Sequence, residues 1–431
     1  MTRLLALLCL LVVPVEVVGA QVTLDSLRLA ALRDSALNTD PRSAQLEILA
    51  AQSALRLRNL TVELKPALSF DGVAQYQSDV ASIPISLPGV TIPKPPHDTY
   101  DARLSAQQRL YDPSLGPRRA VERARTAESQ ARVRATLYSI NESVNTAFFT
   151  ALRSQAQVAE LATTVTDLEA QLAVADARVK DGTALPSESN MIRAELLRRR
   201  QSVAEQNAVR RAAIAVLSDL IRKQIDPATP LATPELGNAV PTSRVYQDFR
   251  NRPEYQQYEL SREAMRKEEA ARGAQDMPRL SAFGRLGYGR PGLNPLSDQF
   301  DKYWLTGLRL QWTPWDWGTS RRDRQVIALQ RNVLTTEEQN FTNSLRRAFE
   351  QDVVSIDRLE EALAQDDEII ALRENIFNET RERYSEGVIT SAEYVDRQTD
   401  VLAARLARSA HRVELAQARA HLLTTLGIEV R

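Results

Sequence analysis

Two long stretches of this chain, residues 65–222 and 277–427, follow one plan at an offset of about 205 positions. In each, a proline (Pro66, Pro278) opens a segment of alternating residues, and a second such segment closes on an aromatic-Asp pair (Tyr111-Asp112, Trp315-Asp316). A glycine and an arginine pair follow: Gly116 with Arg118-Arg119, and Gly318 with Arg321-Arg322. A stretch free of glycine then runs to Gly182 or Gly387, beyond which a further helical pattern begins. A repeat of this length is a duplicated half-protein rather than a solenoid of short units. The plan joins two materials that few folds combine: short alternating strands, and helices too long and too polar to lie in a membrane.

The alternation is clearest in residues 100–111, where Tyr100, Ala102, Leu104, Ala106 and Leu110 oppose Asp101, Arg103, Ser105, Gln107 and Arg109. Residues 66–77 set Leu68, Phe70, Ala74 and Tyr76 against Asp71, Gln75 and Gln77. The second copy gives strands over 279–289 and 303–313, with Leu280, Ala282, Leu286 and Tyr288 on one face and Trp304, Leu308, Leu310 and Trp312 on another. Period two over about ten residues, one face apolar and the other polar, is the pattern of a transmembrane barrel strand. Asp71, Gln75, Arg103, Gln107, Arg309 and Gln311 are then expected to face a lumen. All four tryptophans lie at positions 304, 312, 315 and 317. Tyr303 and Trp304 at one strand end, with Trp312 and Trp315 at the other, are expected to form interfacial girdles against outer-membrane lipid. Residues 79–99 carry five prolines and predict an exposed loop.

The helical stretch 116–181 has apolar residues stepping by three and four from Leu137 through Val144, Ala151, Val158, Val165 and Leu172 to Val179. At about 1.5 Å per residue it forms a rod of about 100 Å, some three times the roughly 30 Å hydrocarbon core of a bilayer. Residues 319–386 predict a matching rod, and 186–222 and 391–426 predict antiparallel return helices. An N-terminal helical region spans 23–62, with Asp40-Pro41 as a start signal. Residues 223–250, with four prolines, link the halves, and a helix resumes at Asn251-Arg252-Pro253-Glu254.

Lysines plus arginines balance aspartates plus glutamates at 55 each, which argues against a nucleic-acid partner. Residues 1–20 have the form of a secretory signal, cut after Ala20, so the mature repeats are 21–222 and 251–431. The single cysteine, Cys9, lies inside that signal rather than at its end, so no lipid anchor, disulfide or thiol chemistry is expected. The three histidines, His97, His411 and His421, make no catalytic set and no zinc pattern, and no cofactor motif appears. The run Gly284–Gly289 lies in a strand with no helix after it and fails as a nucleotide fingerprint. The chain is therefore expected to be no enzyme.

Four membrane strands have exposed edges that lipid cannot satisfy. Two copies would bring eight strands, a barrel filled by its own side chains, whereas three copies would bring twelve and leave a passage. The expected fold is mainly α with a membrane β-barrel: a duplicated strand-strand-helical hairpin, trimeric, with a helical tunnel below the barrel.

The duplication, the Asn251-Arg252-Pro253-Glu254 helix start, the Pro278-Arg279-Leu280-Ser281 strand start and the turns Gly182–Glu188 and Gly387–Glu393 together resemble TolC-type outer-membrane efflux proteins. The resemblance spans about 21–428. It implies a homotrimer in the outer membrane of a Gram-negative bacterium, with a large periplasmic portion. It also implies a periplasmic adaptor and an inner-membrane pump of RND, ABC or MFS type. On the same basis the adaptor would dock on the turns at Gly182, Thr183, Gly387 and Val388. Glu393 and Asp396, three apart on one helix face, would ring the closed tunnel end, although Thr390-Ser391-Ala392-Glu393 also has the form of a capping box. Glu188 and Tyr384 are expected to tie the tip helices together; the other reading packs Tyr384 in the coil. The rival class is a structural coiled-coil protein of the envelope, merely anchored by its strands.

Overall fold

The computed structural model describes residues 26–81, 94–237, 239–240 and 248–429. The signal segment with Cys9, loop residues Pro84, Pro88 and Pro93, and Pro241 of the linker lie outside the described residues.

Two helices open the chain, α1 (Leu29–Thr39) and α2 (Gln45–Val62), joined by a 3₁₀ turn over Pro41–Ala44. Asp40 starts that turn as expected, its side chain accepting from the Arg42 amide at 2.8 Å. Strands β1 (Ala67–Tyr76) and β2 (Asp98–Tyr111) follow. Next come α3 (Leu115–Tyr138), α4 (Ile140–Lys180) and α5 (Pro186–Leu220). The second repeat supplies α6 (Pro253–Gln275), β3 (Arg279–Arg290), β4 (Asp301–Gln311), α7 (Thr319–Ser385) and α8 (Ser391–Leu426).

The strands form one antiparallel sheet in the order β1-β2-β3-β4. The repeats meet in it through β2 and β3, with Leu104 opposite Leu286 and Arg103 opposite Gly287. Because side chains alternate in direction, register aligns like with like across all four strands. One row is Phe70, Leu104, Leu286 and Trp304; the adjacent row on the other face is Asp71, Arg103, Gly287 and Tyr303. Glycine serves close packing twice on that second face. A Cβ on Gly287 would fall 2.5 Å from the Tyr303 hydroxyl, and one on Gly307 would fall 2.9 Å from the Phe283 ring.

Below the sheet, α4 pairs with α5 and α7 with α8, while α3 packs on α6 and α4 on α8. The first rod departs from expectation. It is two helices, broken at Ser139, whose hydroxyl donates to the Thr136 carbonyl at 2.7 Å while its amide also turns to Thr136 at 3.3 Å. Bonding three residues back tightens the turn into 3₁₀ form and interrupts the ladder. The second rod, α7, runs 67 residues without a break.

Three buried clusters hold the helices. One joins α1, α4, α5 and α8 around Phe148 and Phe149, whose rings meet edge-on at 5.4 Å. The second packs α7 against α8 around Phe349 and Leu359, and the third lies at the far tip. The linker is not free chain. Leu27 donates to the Pro230 carbonyl at 2.9 Å and accepts from Ala232 at 3.0 Å.

Candidate functional site

The tip begins with two turns of one design. Gly182 and Gly387 sit at φ +72° and +73°, a backbone region that glycine enters without a Cβ penalty. Thr183 donates to the Arg178 carbonyl at 2.9 Å and Gly182 to Val179 at 3.1 Å. Val388 to Arg383 at 3.0 Å and Gly387 to Tyr384 at 3.1 Å repeat the pattern. These are paired Schellman ends. Gly182, Thr183, Gly387 and Val388 are all exposed, Val388 by 69%.

Glu393 and Asp396 lie exposed on α8, with no ion pair or hydrogen bond to either carboxylate among the described residues. Only half of the capping box forms: the Thr390 hydroxyl accepts from the Glu393 amide at 3.4 Å, and the Glu393 carboxylate stays free. The expected Glu188–Tyr384 tie is not made as a hydrogen bond. Tyr384 is instead 4% exposed and stacked on Tyr394, with ring centroids 4.9 Å apart. Burial raises the Tyr384 phenol above its ordinary value, with the Glu188 charge adding to it and Arg178 opposing. Burial also pushes Tyr394 up to about 12. Both stay neutral at any ordinary pH, so this is an apolar clasp.

The tie between repeats comes from Arg178, which sequence reasoning missed. It donates from α4 to the carbonyls of Tyr384 (3.4 Å) and Ser385 (2.9 Å), the orphan end of α7. Its guanidinium also stands 5.7 Å from the Tyr384 ring centroid. A basic residue in the last helical turn was the available signal, since cations favour helix C-termini. Nearby, Arg199 of α5 reaches Thr399 of α8 at 3.1 Å while paired to buried Glu195.

At the sheet, Trp304, Trp312 and Trp315 are exposed, Trp304 on the apolar face. Tyr303 does not join them. One residue from Trp304, it points to the opposite face and donates to Asp101 at 2.6 Å; period-two alternation separates the neighbours. Near the Tyr303 end of the sheet Phe300 stacks with Tyr100 and Tyr288, with centroids 6.0 and 5.5 Å apart. Asp71 and Arg103 lie on the polar face at 3.7 Å, and Asp101 faces Arg103 at 3.4 Å.

The helical histidines have structural partners. His421 lies 2.7 Å from buried Asp352 of α7 and 3.8 Å from Glu142 of α4. His411 lies 2.7 Å from Asp366, also on α7. The Asp352 hydrogen bond raises the His421 pKa above its ordinary value, against desolvation and the positive charge of Arg252. At the first-repeat cluster, Arg33 is 5% exposed and bonds Asn145 at 2.6 Å and Thr424 at 2.8 Å, and burial lowers its pKa to about 10. Among the described residues no group of metal-ligating side chains occurs, and no helix is long and apolar enough to cross a membrane.

Residues 245–428 match the family model for outer membrane efflux protein. No curated protein matches the sequence. Among solved structures, CusC shares 14% identity over 93% of this chain and 92% of its own, with a TM-score of 0.69. A membrane protein from Pseudomonas aeruginosa shares 16% over 93% and 90%, at 0.69. The open state of the MtrE outer membrane channel of Neisseria gonorrhoeae shares 16% over 94% and 90%, at 0.66. At such identities the likeness is one of fold, and it extends across both repeats. The second half of the chain, residues 245–428, thus resembles the outer membrane efflux protein family, and the two halves together have the fold seen in CusC and MtrE.

Proposed function

We propose that three copies of this chain close into one duct that carries solutes from the periplasm through the outer membrane. The sheet is the observation that carries this reading. Its four strands leave β1 and β4 as edges and present one continuous apolar face. Unpaired backbone groups in hydrocarbon cost several kcal/mol each, so the edges must meet the edges of other copies. Twelve strands enclose a passage where eight do not.

The helices support the same assembly. Ile48, Leu55 and Val62 form an exposed apolar stripe at heptad spacing on α2, and Val326, Leu329 and Val333 form another on α7. Stripes of this kind are covered in a finished assembly. The helical part occupies the periplasm. In this reading the turns at Gly182, Thr183, Gly387 and Val388 meet a periplasmic adaptor, which links the duct to an inner-membrane pump of RND, ABC or MFS type. Glu393 and Asp396, exposed and unpaired, would make two stacked carboxylate rings where three tips converge, favouring cations there. Arg178, Glu188 and the Tyr384–Tyr394 stack would hold the tips together, and the tryptophans would seat the barrel in lipid.

Two measurements on the full chain test this. Mass measurement of complexes released from native vesicles should give three chains, and planar-bilayer recording should give unitary currents. A stable single protomer sinks the assembly; trimers that pass no current favour an anchored structural protein.

A further inference from the structure

The polar face of the sheet sorts its charges by height. Nearest the external loops, Asp101 stands in one row with Gly289 and Asp301. The next row holds Asp71, Arg103 and Tyr303. Here the acids are occupied: Arg103 lies 3.4 Å from Asp101 and 3.7 Å from Asp71, and the Tyr303 hydroxyl donates to Asp101 at 2.6 Å. Toward the helices the face turns basic. Arg285 shares a row with Ser105 and Leu305, and Arg309 lies opposite Ser281. Neither guanidinium has a carboxylate or hydrogen-bond partner among the described residues, the Arg309 carbonyl alone accepting from the Ser281 hydroxyl at 3.5 Å. Arg309 lies over the Phe283 ring, 5.4 Å from its centroid, which positions the guanidinium without neutralising it. The two are four positions apart in the register, roughly 13 Å along the strand at about 3.3 Å per residue.

We propose that Arg285 and Arg309 make the periplasmic half of the barrel lumen a filter that favours anionic solutes, carboxylates and phosphates among them, over inorganic cations. The inference rests on the trimeric duct, because only a closed barrel turns these side chains toward one lumen. Three copies stack two rings of three guanidiniums in the lumen. This filter opposes in sign the carboxylate rings proposed at the far tip, so the two ends of the conduit select independently. Its reach depends on salt. The screening length is about 30 Å at 10 mM and about 3 Å at 1 M, so the rings act across the lumen in dilute salt and only near the wall in concentrated salt.

The test uses the full-length protein in planar bilayers under a KCl gradient, read as the chloride-to-potassium permeability ratio from the reversal potential. Lining charges of this kind change local ion concentrations severalfold, so R285Q/R309Q should lower the ratio by about threefold near 10 mM. The ratio should hold in R285K/R309K, and the difference should vanish near 1 M salt. An unchanged ratio in R285Q/R309Q, with unitary conductance intact, overturns the filter and leaves the duct standing. Should the glutamine variant fail to insert, the wild type decides. Citrate added from the external side must reduce its unitary current near 10 mM salt and not near 1 M; no reduction at low salt overturns the proposal. Absence of any current in the wild type would overturn the duct itself.

Discussion

The two repeats share a backbone plan and differ in what they place on it. At the offset that aligns Gly182 with Gly387, the second repeat's Asp352 and His421 correspond to Ala147 and Val216 of the first. Ala147 and Val216 line an apolar groove between α4 and α5; Asp352 and His421 make a hydrogen bond between α7 and α8. Tyr384, buried in the tip, corresponds to the half-buried Val179. The first repeat instead contributes Arg178, which closes on the second. Apart from the break at Ser139 the halves share their backbone plan, while their contacts are complementary. One coil now supplies the aromatic clasp and the other the cation that seals it.

The largest test of that difference is Tyr384→Ala. Removing a buried aromatic costs about 3–5 kcal/mol, and the denaturation midpoint of the full chain should fall accordingly. Val179→Ala should cost well under half as much, and equal losses would contradict the asymmetry. Tyr384→Phe keeps the stack and should be near neutral, which separates the ring from its hydroxyl.

The strands should behave alike in both repeats. Leu308→Arg and its counterpart Leu104→Arg should each weaken insertion into vesicles by about 2–4 kcal/mol near the midplane, whereas Gln311→Arg and Gln107→Arg should be tolerated. If both faces accept arginine equally, the assigned faces are wrong. The turns should also match. Gly182→Ala and Gly387→Ala each force a Cβ into the left-handed region and should cost about 1–2 kcal/mol, read by chemical denaturation. No neighbour crowds either site, so strain alone sets the cost.

The smallest effect is the pH response of His421. Its folded pKa lies above the ordinary 6.5, so the pairing stabilises fully below that value and is lost as pH rises through the higher folded value. The side chain is 40% exposed, so screening limits the contribution to less than about 1 kcal/mol. Wild type should lose that much stability between about pH 6 and the alkaline side, and Asp352→Asn should flatten the curve. An identical slope in both proteins would remove any role for the pair.

Much of this was legible in the sequence because the signals are local. Strand alternation fixed the faces, and Gly182, Pro186 and Gly387 fixed the helix ends within a residue or two. The misses needed distance or direction. Ser139 is an unremarkable residue inside a long helical pattern, and only its back-bonding to Thr136 marks the break. Tyr303 was grouped with Trp304 by adjacency, although the pleat sends neighbours to opposite faces. His421 and Asp352 stand 69 residues apart, beyond any local pattern. Arg178 had a local cue, but its target lies 207 residues away. Glu393, Asp396 and the turns at Gly182 and Gly387 sit where the repeat predicts.

Each tip turn closes its principal helix-end bonds upon itself, through Thr183 and Gly182 on one knuckle and Val388 and Gly387 on the other. Such a knuckle has few backbone groups to offer a visiting strand. The adaptor proposed to grip it would meet contour and the bare side chains of Leu185 and Val388, and could let go without tearing anything loose.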